Sequence, residues 1–515
     1  MCPWELEWLR MVRSRLVVVA VCVLLLGTLL LEARPVPSVR ANPGTLLVPS
    51  QYPTIQAAIN AAVAGDTVIV SAGTYVENVL ITKSVQLVGE SRNNTFIDAS
   101  GGAAPGINIT GTGSVLVSGF TVEKTNLPYG EVLVSSSTDV VITRNRLRSV
   151  LDPAEVNGTY VYNSSNVTVS DNVLTGNLYG VALQGGFSNV VALNNATGNT
   201  IGVGVFNSVS NRIMDNRMVL GKAGLDLWDG ATGNTVTGNL IGNNTEDGIS
   251  LVSQRFRSGD HFIVGNDIEY NSAQGGFSSV GLDVQNSTGN SFYHNNFRGN
   301  DIQVFVVFPP GDLTGNVWDD GSRGSYWADY AGLDDGSGGR VAGDGVGDTN
   351  VPHPCPNGGN PCMRQDVTLP GVDRFPLMSP FVASPGESTG SILVRVRNVG
   401  GQPVEGSRVR SVSQPSGQRA LNGTTNNFGL TGFSGLAPGG YRLEASGSGF
   451  VAQEKTVTAV ANQTVTVEFS LASSQGPSLF SPVLVGGIVV AAAVVAGGLG
   501  FWWWRRRRVR VALAK

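Results

Sequence analysis

Cysteine and histidine are scarce, with four and three residues in a chain of 515. Cys2 and Cys22 fall within the first 41 residues, so only Cys355 and Cys362 remain for the body of the chain. That excludes both a disulfide-dense scaffold and a multi-thiolate metal cluster. Charge is low as well, at 14%, and between residues 42 and 482 the acids outnumber the bases by 35 to 23. A surface of that sign argues against nucleic acid as a partner and favours cations or basic partners. Long apolar runs are confined to the two ends, and amphipathic helical spacing is found only near the start. What the chain has in quantity is glycine, 68 residues, with 41% hydrophobic residues; this is the composition of a turn-rich all-β protein and not of a disordered one.

The ends read as export and anchoring signals. Arg10, Arg13 and Arg15 precede the apolar run Leu16 to Leu31, and Val39-Arg40-Ala41 offers small residues at the cleavage offsets; residues 1–41 are expected to be a signal peptide. Residues 483–504 are uncharged, and at about 1.5 Å per residue they reach roughly 33 Å, enough to cross a hydrocarbon core of about 30 Å. Trp502 to Trp504 form an interfacial belt, and Arg505 to Arg508, Arg510 and Lys515 place residues 505–515 in the cytoplasm. The expectation is a single-pass membrane protein with its ectodomain outside the cell.

Between Gly180 and Gln303 a short run recurs: Gly180-Val-Ala-Leu183, Gly202-Val-Gly-Val205, Gly224-Leu-Asp-Leu227, Gly248-Ile-Ser-Leu251 and Gly281-Leu-Asp-Val284, the first three starting 22 residues apart. A period in that range marks a solenoid, whose coils bury their apolar faces only by stacking. Two Asn positions recur with it. The first is filled by Asp139, Asn166, Asn189, Asn211, Asn234, Asp260 and Asn290; the second by Asn145, Asn172, Asn195, Asn216, Asn239, Asn266 and Asn295 or Asn296. Equivalent side chains in parallel coils lie about 4.8 Å apart, so they are read as amide ladders with a structural role. Asn166 and Asn195 also sit in glycosylation sequons, and their place in the expected ladder predicts that both stay bare. Tyr52 to Ala62, with Ile55, Ala58, Ile59 and Ala62 on one helical face, is the expected N-terminal cap.

The opening residues Thr54-Ile-Gln-Ala-Ala-Ile59, Gly65-Asp66-Thr67, Gly73-Thr74-Tyr75 and Val88-Gly89-Glu90 resemble the start of two right-handed parallel β-helix families, the pectin methylesterases and the NosD-like proteins. The far end separates them. His294-Asn-Asn-Phe297, Trp318-Asp-Asp-Gly321, Tyr326-Trp327, Gly343-Asp-Gly-Val-Gly-Asp-Thr349 and Asp373-Arg-Phe-Pro-Leu-Met378 are similar to the closing signature of the NosD-like family, although Ser325 stands where that family tends to have Asn. The resemblance, over residues 46–380, implies a right-handed parallel β-helix over 42–315 with an Asp/Gly/aromatic closing segment over 316–380. After Pro380, short alternating strands from 390 to 471 predict a small β-sandwich. Its Gly-x-x-Gly-x-Leu-x-Pro-Gly-x-Tyr pattern resembles the carboxypeptidase-regulatory-like, transthyretin-like modules, a spacer or adhesion family without catalysis of its own. Residues 473–482 link it to the membrane.

Three clusters are candidates for chemistry. The third residue of each run points outward, giving the line Ala182, Gly204, Asp226, Ser250, Asp283 and Gln303, and two carboxylates two coils apart, Asp226 and Asp283, stand near the upper limit of the spacing used by inverting glycosidases. Asp229, Asp247 and Asp260 are potential additions. A solvated or sugar-binding face is the alternative, and it outweighs catalysis because any solenoid has a polar outer face. Asp334, Asp335, Asp344 and Asp348 have the composition of a calcium loop, but the inserted Gly336 to Gly343 breaks the close spacing and favours a plain glycine-rich turn. Cys355 and Cys362, with His353 and Met363, present soft donors for copper, the metal that the NosD-like resemblance implies; outside the cell a disulfide between the two cysteines is the stronger reading. The function expected is recognition or adhesion at the cell surface, with extracellular polysaccharide or cell-envelope components as partners. The alternatives are a polysaccharide hydrolase or lyase and a copper-handling accessory protein.

Overall fold

The computed structural model describes residues 43–125, 129–150, 156–273, 279–307, 316–349, 373–382 and, apart from 417, 419, 427, 428 and 462, residues 389–474. The segments read as signal peptide and membrane anchor, and the Cys355–Met363 stretch, lie outside these residues. No helix among the described residues is long and apolar enough to cross a membrane.

The solenoid is a right-handed parallel β-helix of three sheets, with 11, 10 and 11 strands among the described residues, each strand hydrogen-bonded to its equivalent one coil away. Helix α1 (Ile55–Ala61) covers the first coil. Thr54 Oγ1 accepts from the Ala57 N–H at 3.0 Å, and Glu77 accepts from the N–H groups of Ile55 and Gln56 at 2.9 Å each, so the orphan donors of the first turn are satisfied. Ile55, Ala58 and Ile59 are buried against the coil beneath.

Five strands of the ten-stranded sheet carry the glycine-led runs, β1 (Tyr179–Gln184), β2 (Ile201–Phe206), β3 (Ala223–Trp228), β4 (Asp247–Val252) and β5 (Val280–Gln285), and β6 (Ile302–Val307) continues the row with Gln303 in the glycine's place. Val181, Val203, Leu225, Ile249, Leu282 and Val304 pair in register and point into the core, each at most 1% exposed. The leading glycines are required by stacking: a Cβ on Gly180 would lie 2.6 Å from the carbonyl oxygen of Gly202, and one on Gly202 2.6 Å from that of Gly224.

Three Asn ladders, one more than expected, hold the corners. One runs through Asn145, Asn172, Asn194, Asn216, Asn239, Asn266 and Asn295, with amide-to-amide bonds of 3.0 to 3.2 Å wherever Nδ2 meets the next Oδ1. A second contains Asn189, Asn211, Asn234, His261, Asn290 and Asn316, and a third Asn177 and Asn199, then Asn244, Asn271 and Asn300. The register corrects the expected one at several coils. Asn194, not Asn195, occupies the ladder, and of the two residues expected at the last coil it is Asn295 that does so; His261 stands where Asp260 was expected; Asn166 and Asn195 are exposed. The reason is conformational. Asn166 and Asp260 take the left-handed bend one residue ahead, at φ 55° and 57°, a position that Asn and Asp tolerate as readily as the ladder itself. The argument that burial keeps Asn166 and Asn195 free of glycan therefore falls.

The closing segment seals the far end with aromatics. Trp327 stacks on Phe297 at 4.5 Å and Trp318 packs on Phe292 at 4.7 Å. Buried Asp373 accepts from Trp327 Nε1 at 2.8 Å and from the Ser325 N–H at 2.7 Å. Ser325 ends the first ladder: its Oγ accepts the Asn295 N–H at 3.3 Å, doing with a hydroxyl what an amide does in earlier coils.

The β-sandwich pairs a three-stranded with a four-stranded sheet and lies against the flank of the solenoid, where a spacer between solenoid and membrane had been expected. Strand Gly390–Asn398 has both faces covered. Ile392, Val394 and Val396 enter the sandwich core, while Leu393 packs with Val209 and Leu430, Ser391 meets Thr235, and the Arg395 guanidinium lies 4.9 Å from the Phe187 ring centre.

Candidate functional site

The outer face of β1 to β6 bears the groups with the strongest claim to function. In register, the middle row reads Ala182, Gly204, Asp226, Ser250, Asp283 and Phe305. Phe305 replaces the expected Gln303, which pairs back toward Gly281, because a bend near the start of each strand shifts the alternation. Asp226 and Asp283 are thus on one row, two coils apart, with the small side chain of Ser250 between them.

Asp247, at the start of β4, joins the two electrostatically. Burial pushes Asp226 up to about 7, helped by the charges of Asp247 and Glu246. Burial likewise pushes Asp247 up to about 7, with Asp283 and Glu246 adding to it. Asp283 rises to about 6 through burial, moderated by the hydrogen bond it accepts from Gln285 Nε2 at 2.7 Å. The other Asp283 oxygen, Oδ1, is buried and has no hydrogen-bond partner among the described residues. Three desolvated, mutually repelling carboxylates are costly for a fold and are the usual mark of a working site.

Aromatic rings flank the carboxylates. Tyr179 lies over Gly204, where a Cβ would come within 2.7 Å of the ring. Phe206 packs edge-on to Tyr179 at 5.4 Å and to Trp228 at 6.4 Å, and Trp228 Nε1 donates to Ser250 Oγ at 3.3 Å. Tyr160 and Tyr162 continue the row one coil earlier, with Tyr160 bonded to Gln184 at 2.5 Å. Together the rings span four successive coils, about 14 Å at about 4.8 Å per coil. Sequence reading missed this row, although Phe206 and Trp228, 22 residues apart at the ends of successive runs, carried the signal.

The remaining candidates fall elsewhere. Asp229 accepts from the N–H groups of Gln254 and Arg255, and Asp260 pairs with Arg257 at 2.6 Å; neither joins the Asp226 cluster. Asp334, Asp335, Asp344 and Asp348 do not converge. Asp334 accepts from Gly343 and Gly345, Asp335 from Ser337, Asp344 from Val346 and Asp348 from Gly336, all backbone N–H groups. Carboxylates so used shape a glycine-rich turn, and among the described residues no three acidic, His or Cys side chains are placed to hold a metal. Nor do the described histidines fit copper. His261 is engaged at both ring nitrogens by the Asn234 N–H and Ser258, and His294 stacks on Phe381 with Nε2 3.2 Å from Asp320. His353, Cys355, Cys362 and Met363 lie outside the described residues.

Against known proteins, the family model of the periplasmic copper-binding protein NosD matches residues 59–332, and that of the carboxypeptidase regulatory-like domain matches 391–472. No curated protein matches the chain. Similar solved structures include the Dettilon tailspike protein (16% identity over 53% of this chain and 65% of that one, TM-score 0.35) and DFA-IIIase from Arthrobacter chlorophenolicus A6 (14%, 54% and 80%, 0.38). A third is PfbA, a surface adhesin of Streptococcus pneumoniae (12%, 49% and 84%, 0.36). The chain spans less than two thirds of the length of the first structures it matches, 65% in the case of the tailspike. At these identities the likeness is one of solenoid architecture, and no activity is carried over from it.

Proposed function

We propose that this chain, which belongs through residues 59–332 to the family of the periplasmic copper-binding protein NosD and carries a carboxypeptidase regulatory-like domain over 391–472, recognises carbohydrate along the outer face of β1 to β6. The observation that carries the reading is the row Tyr160, Tyr162, Tyr179, Phe206 and Trp228 set beside Asp226, Ser250 and Asp283. Flat apolar rings next to a few fixed hydrogen-bonding groups are the makeup of a small-molecule or polymer site, with the rings supplying contact area and the polar groups orientation. A sugar polymer offers both: C–H faces for the rings and hydroxyls for the carboxylates. Copper handling finds no support among the described residues, whose histidines are occupied structurally.

The setting proposed is the cell surface, supported by the apolar run and basic tail at 483–515 and by the basic and apolar segment at 1–41. Retention of the detergent-solubilised full chain on insoluble polysaccharides tests the binding. Trp228→Ala is expected to weaken retention at least tenfold, while Trp318→Ala, in the closing segment, serves as a control for general loss of fold. Equal retention of wild type and Trp228→Ala would refute the assignment of the face.

A further inference from the structure

We propose that Asp226 and Asp283 are an acid–base pair that hydrolyses a glycosidic bond of a neutral polysaccharide by inversion, with Asp247 as the residue that tunes them; this rests on carbohydrate lying along the face just described. The first argument is spacing. Asp226 pairs with Ser250 and Ser250 with Asp283, so the two acids stand two coils apart, about 9.6 Å at about 4.8 Å per coil. Inverting glycosidases hold their carboxyl groups about 6.5 to 9.5 Å apart to admit a water, and retaining ones only about 5 to 5.5 Å. This pair stands at the upper limit of the first range and well outside the second. Ser250 is the residue between the two acids, and its bond from Trp228 Nε1 at 3.3 Å fixes the indole ring beside the pair.

The second argument is the asymmetry of the pair. Asp283 receives Gln285 Nε2 on Oδ2 and keeps Oδ1 buried and unpartnered among the described residues. Burial raises Asp283, but the Gln285 bond moderates the rise, so Asp283 is the more readily ionised of the two and keeps one oxygen without a partner, the requirement for the member of the pair that takes a proton from water. Asp226 has the charges of Asp247 and Glu246 for neighbours and is held protonated near neutrality, the requirement for an acid. Tyr179 faces Asp226 as well, and Lys222 is engaged with Glu246 at 3.4 Å. In the reaction Asp226 gives its proton to the bridging oxygen as the bond from the anomeric carbon to that oxygen breaks. Water attacks the same carbon from the opposite side and gives its proton to Asp283. One water is added, a new reducing end of inverted configuration is released, and the proton returns from Asp283 to Asp226 through solvent.

The third argument concerns the substrate. The outward positions of β1 to β5 and Phe305 of β6 include no Lys or Arg, while Asp226, Asp247 and Asp283 contribute three carboxyls. A uronic-acid polymer would meet like charge along its whole length, so uncharged polymers are selected.

The test uses the solubilised full chain on xylan, mannan, β-1,3-glucan and inulin, with polygalacturonate as the charged counterpart, measuring retention first and reducing ends next. Expected are retention on a neutral polymer, cleavage of that polymer with inversion, and a loss of about 10² to 10⁴ in rate for Asp226→Asn and Asp283→Asn that far exceeds any loss of retention. Asp247→Asn is expected to keep cleavage but move the alkaline limb of the pH profile downward, because Asp226 loses a repelling neighbour. A neutral polymer that is retained but uncleaved from pH 4 to 8 overturns hydrolysis and leaves recognition standing. Retention on polygalacturonate alone, or on none, overturns both. Undiminished cleavage by Asp226→Asn, or a retained configuration, overturns the pair.

Discussion

Replacing Asn194 by Ala is expected to be among the more damaging single changes in the solenoid, and Asn195→Ala next to it among the mildest. Asn194 Oδ1 accepts from both the backbone N–H and the side-chain amide of Asn172, each at 3.0 Å, while Nδ2 donates to Val169 O at 2.8 Å and Asn216 Oδ1 at 3.0 Å. Truncation leaves the Asn172 N–H with no acceptor and its amide with one bond fewer, the bond to Ile142 O remaining. At about 1 to 3 kcal/mol for each of the two buried donors left unpaired, the loss comes to about 2 to 6 kcal/mol. Asn195 is exposed, and its hydroxyl partner Thr197 has water as an alternative, so its removal falls within about 0.5 kcal/mol. Because a solenoid unfolds through neighbouring repeats and not always in one step, the suitable measurement is hydrogen exchange of amides in coils 167–219, supported by the urea midpoint. Equal protection in the two variants would refute the register and with it the claim that Asn194 occupies the ladder.

Three further outcomes follow from the same geometry. Gly204→Val drives a branched side chain into the Tyr179 ring and is expected to cut polysaccharide retention at least tenfold with the circular-dichroism spectrum unchanged; unimpaired retention would show that Tyr179 is not part of the surface. Leu393→Arg is expected to release the sandwich from the solenoid, raising hydrogen exchange at 389–395 and 207–211 while leaving 441–445 protected; loss of protection at 441–445 as well would show that the two cores are one cooperative unit. The pH dependence has a definite sign: Asp226, Asp247 and Asp283 carry folded values of about 7, 7 and 6 against an ordinary 3.8, so the folded chain binds protons that the unfolded chain does not. Their favourable contribution is complete below pH 4 and is lost as pH rises through 6 and 7. Asp226→Asn is therefore expected to raise the urea midpoint at pH 8 and barely move it at pH 4, and a lower midpoint at pH 8 would refute the placement of Asp226 in a desolvated, repelling cluster.

The solenoid was legible because its signal repeats. The Gly-led runs fix the period, and every inward residue from Val181 to Val304 falls where the period puts it. The sandwich was legible from alternation and turns, but its placement was not. Ile392-Leu-Val394 is a continuous apolar run, which marks a strand covered on both faces, and nothing in the run says that the second cover is the corner at Val209. The ladders were legible as a type and not to the residue. Adjacent pairs such as Asn194 and Asn195 are chemically identical, and only the backbone bend decides which turns inward. Asp226 and Asp283 were found from spacing alone, whereas the part of Asp247 depends on a break in strict alternation at the start of β4; Phe206 and Trp228 follow plain alternation, two residues beyond Gly204 and Asp226, and were legible though unread.

One physical rule separates the two buried polar systems of this molecule. The Asn amides are removed from water, but nearly every donor and acceptor meets a partner one coil away, so their burial is compensated and they specify how the coils stack. Asp226, Asp247 and Asp283 are removed from water beside one another, with Gln285 Nε2 donating to Asp283, the Val280 N–H donating to Asp247, and one carboxylate oxygen of Asp283 left without a partner among the described residues. Stacking gives no reason for such an arrangement, because Ala182 and Gly204 hold the same row in neighbouring coils without any charge. A cost that the fold does not require, placed on a surface already furnished with aromatic rings, is best explained by what the surface does. The pH-8 stability of Asp226→Asn measures that cost, and the fate of a bound polysaccharide measures what it accomplishes.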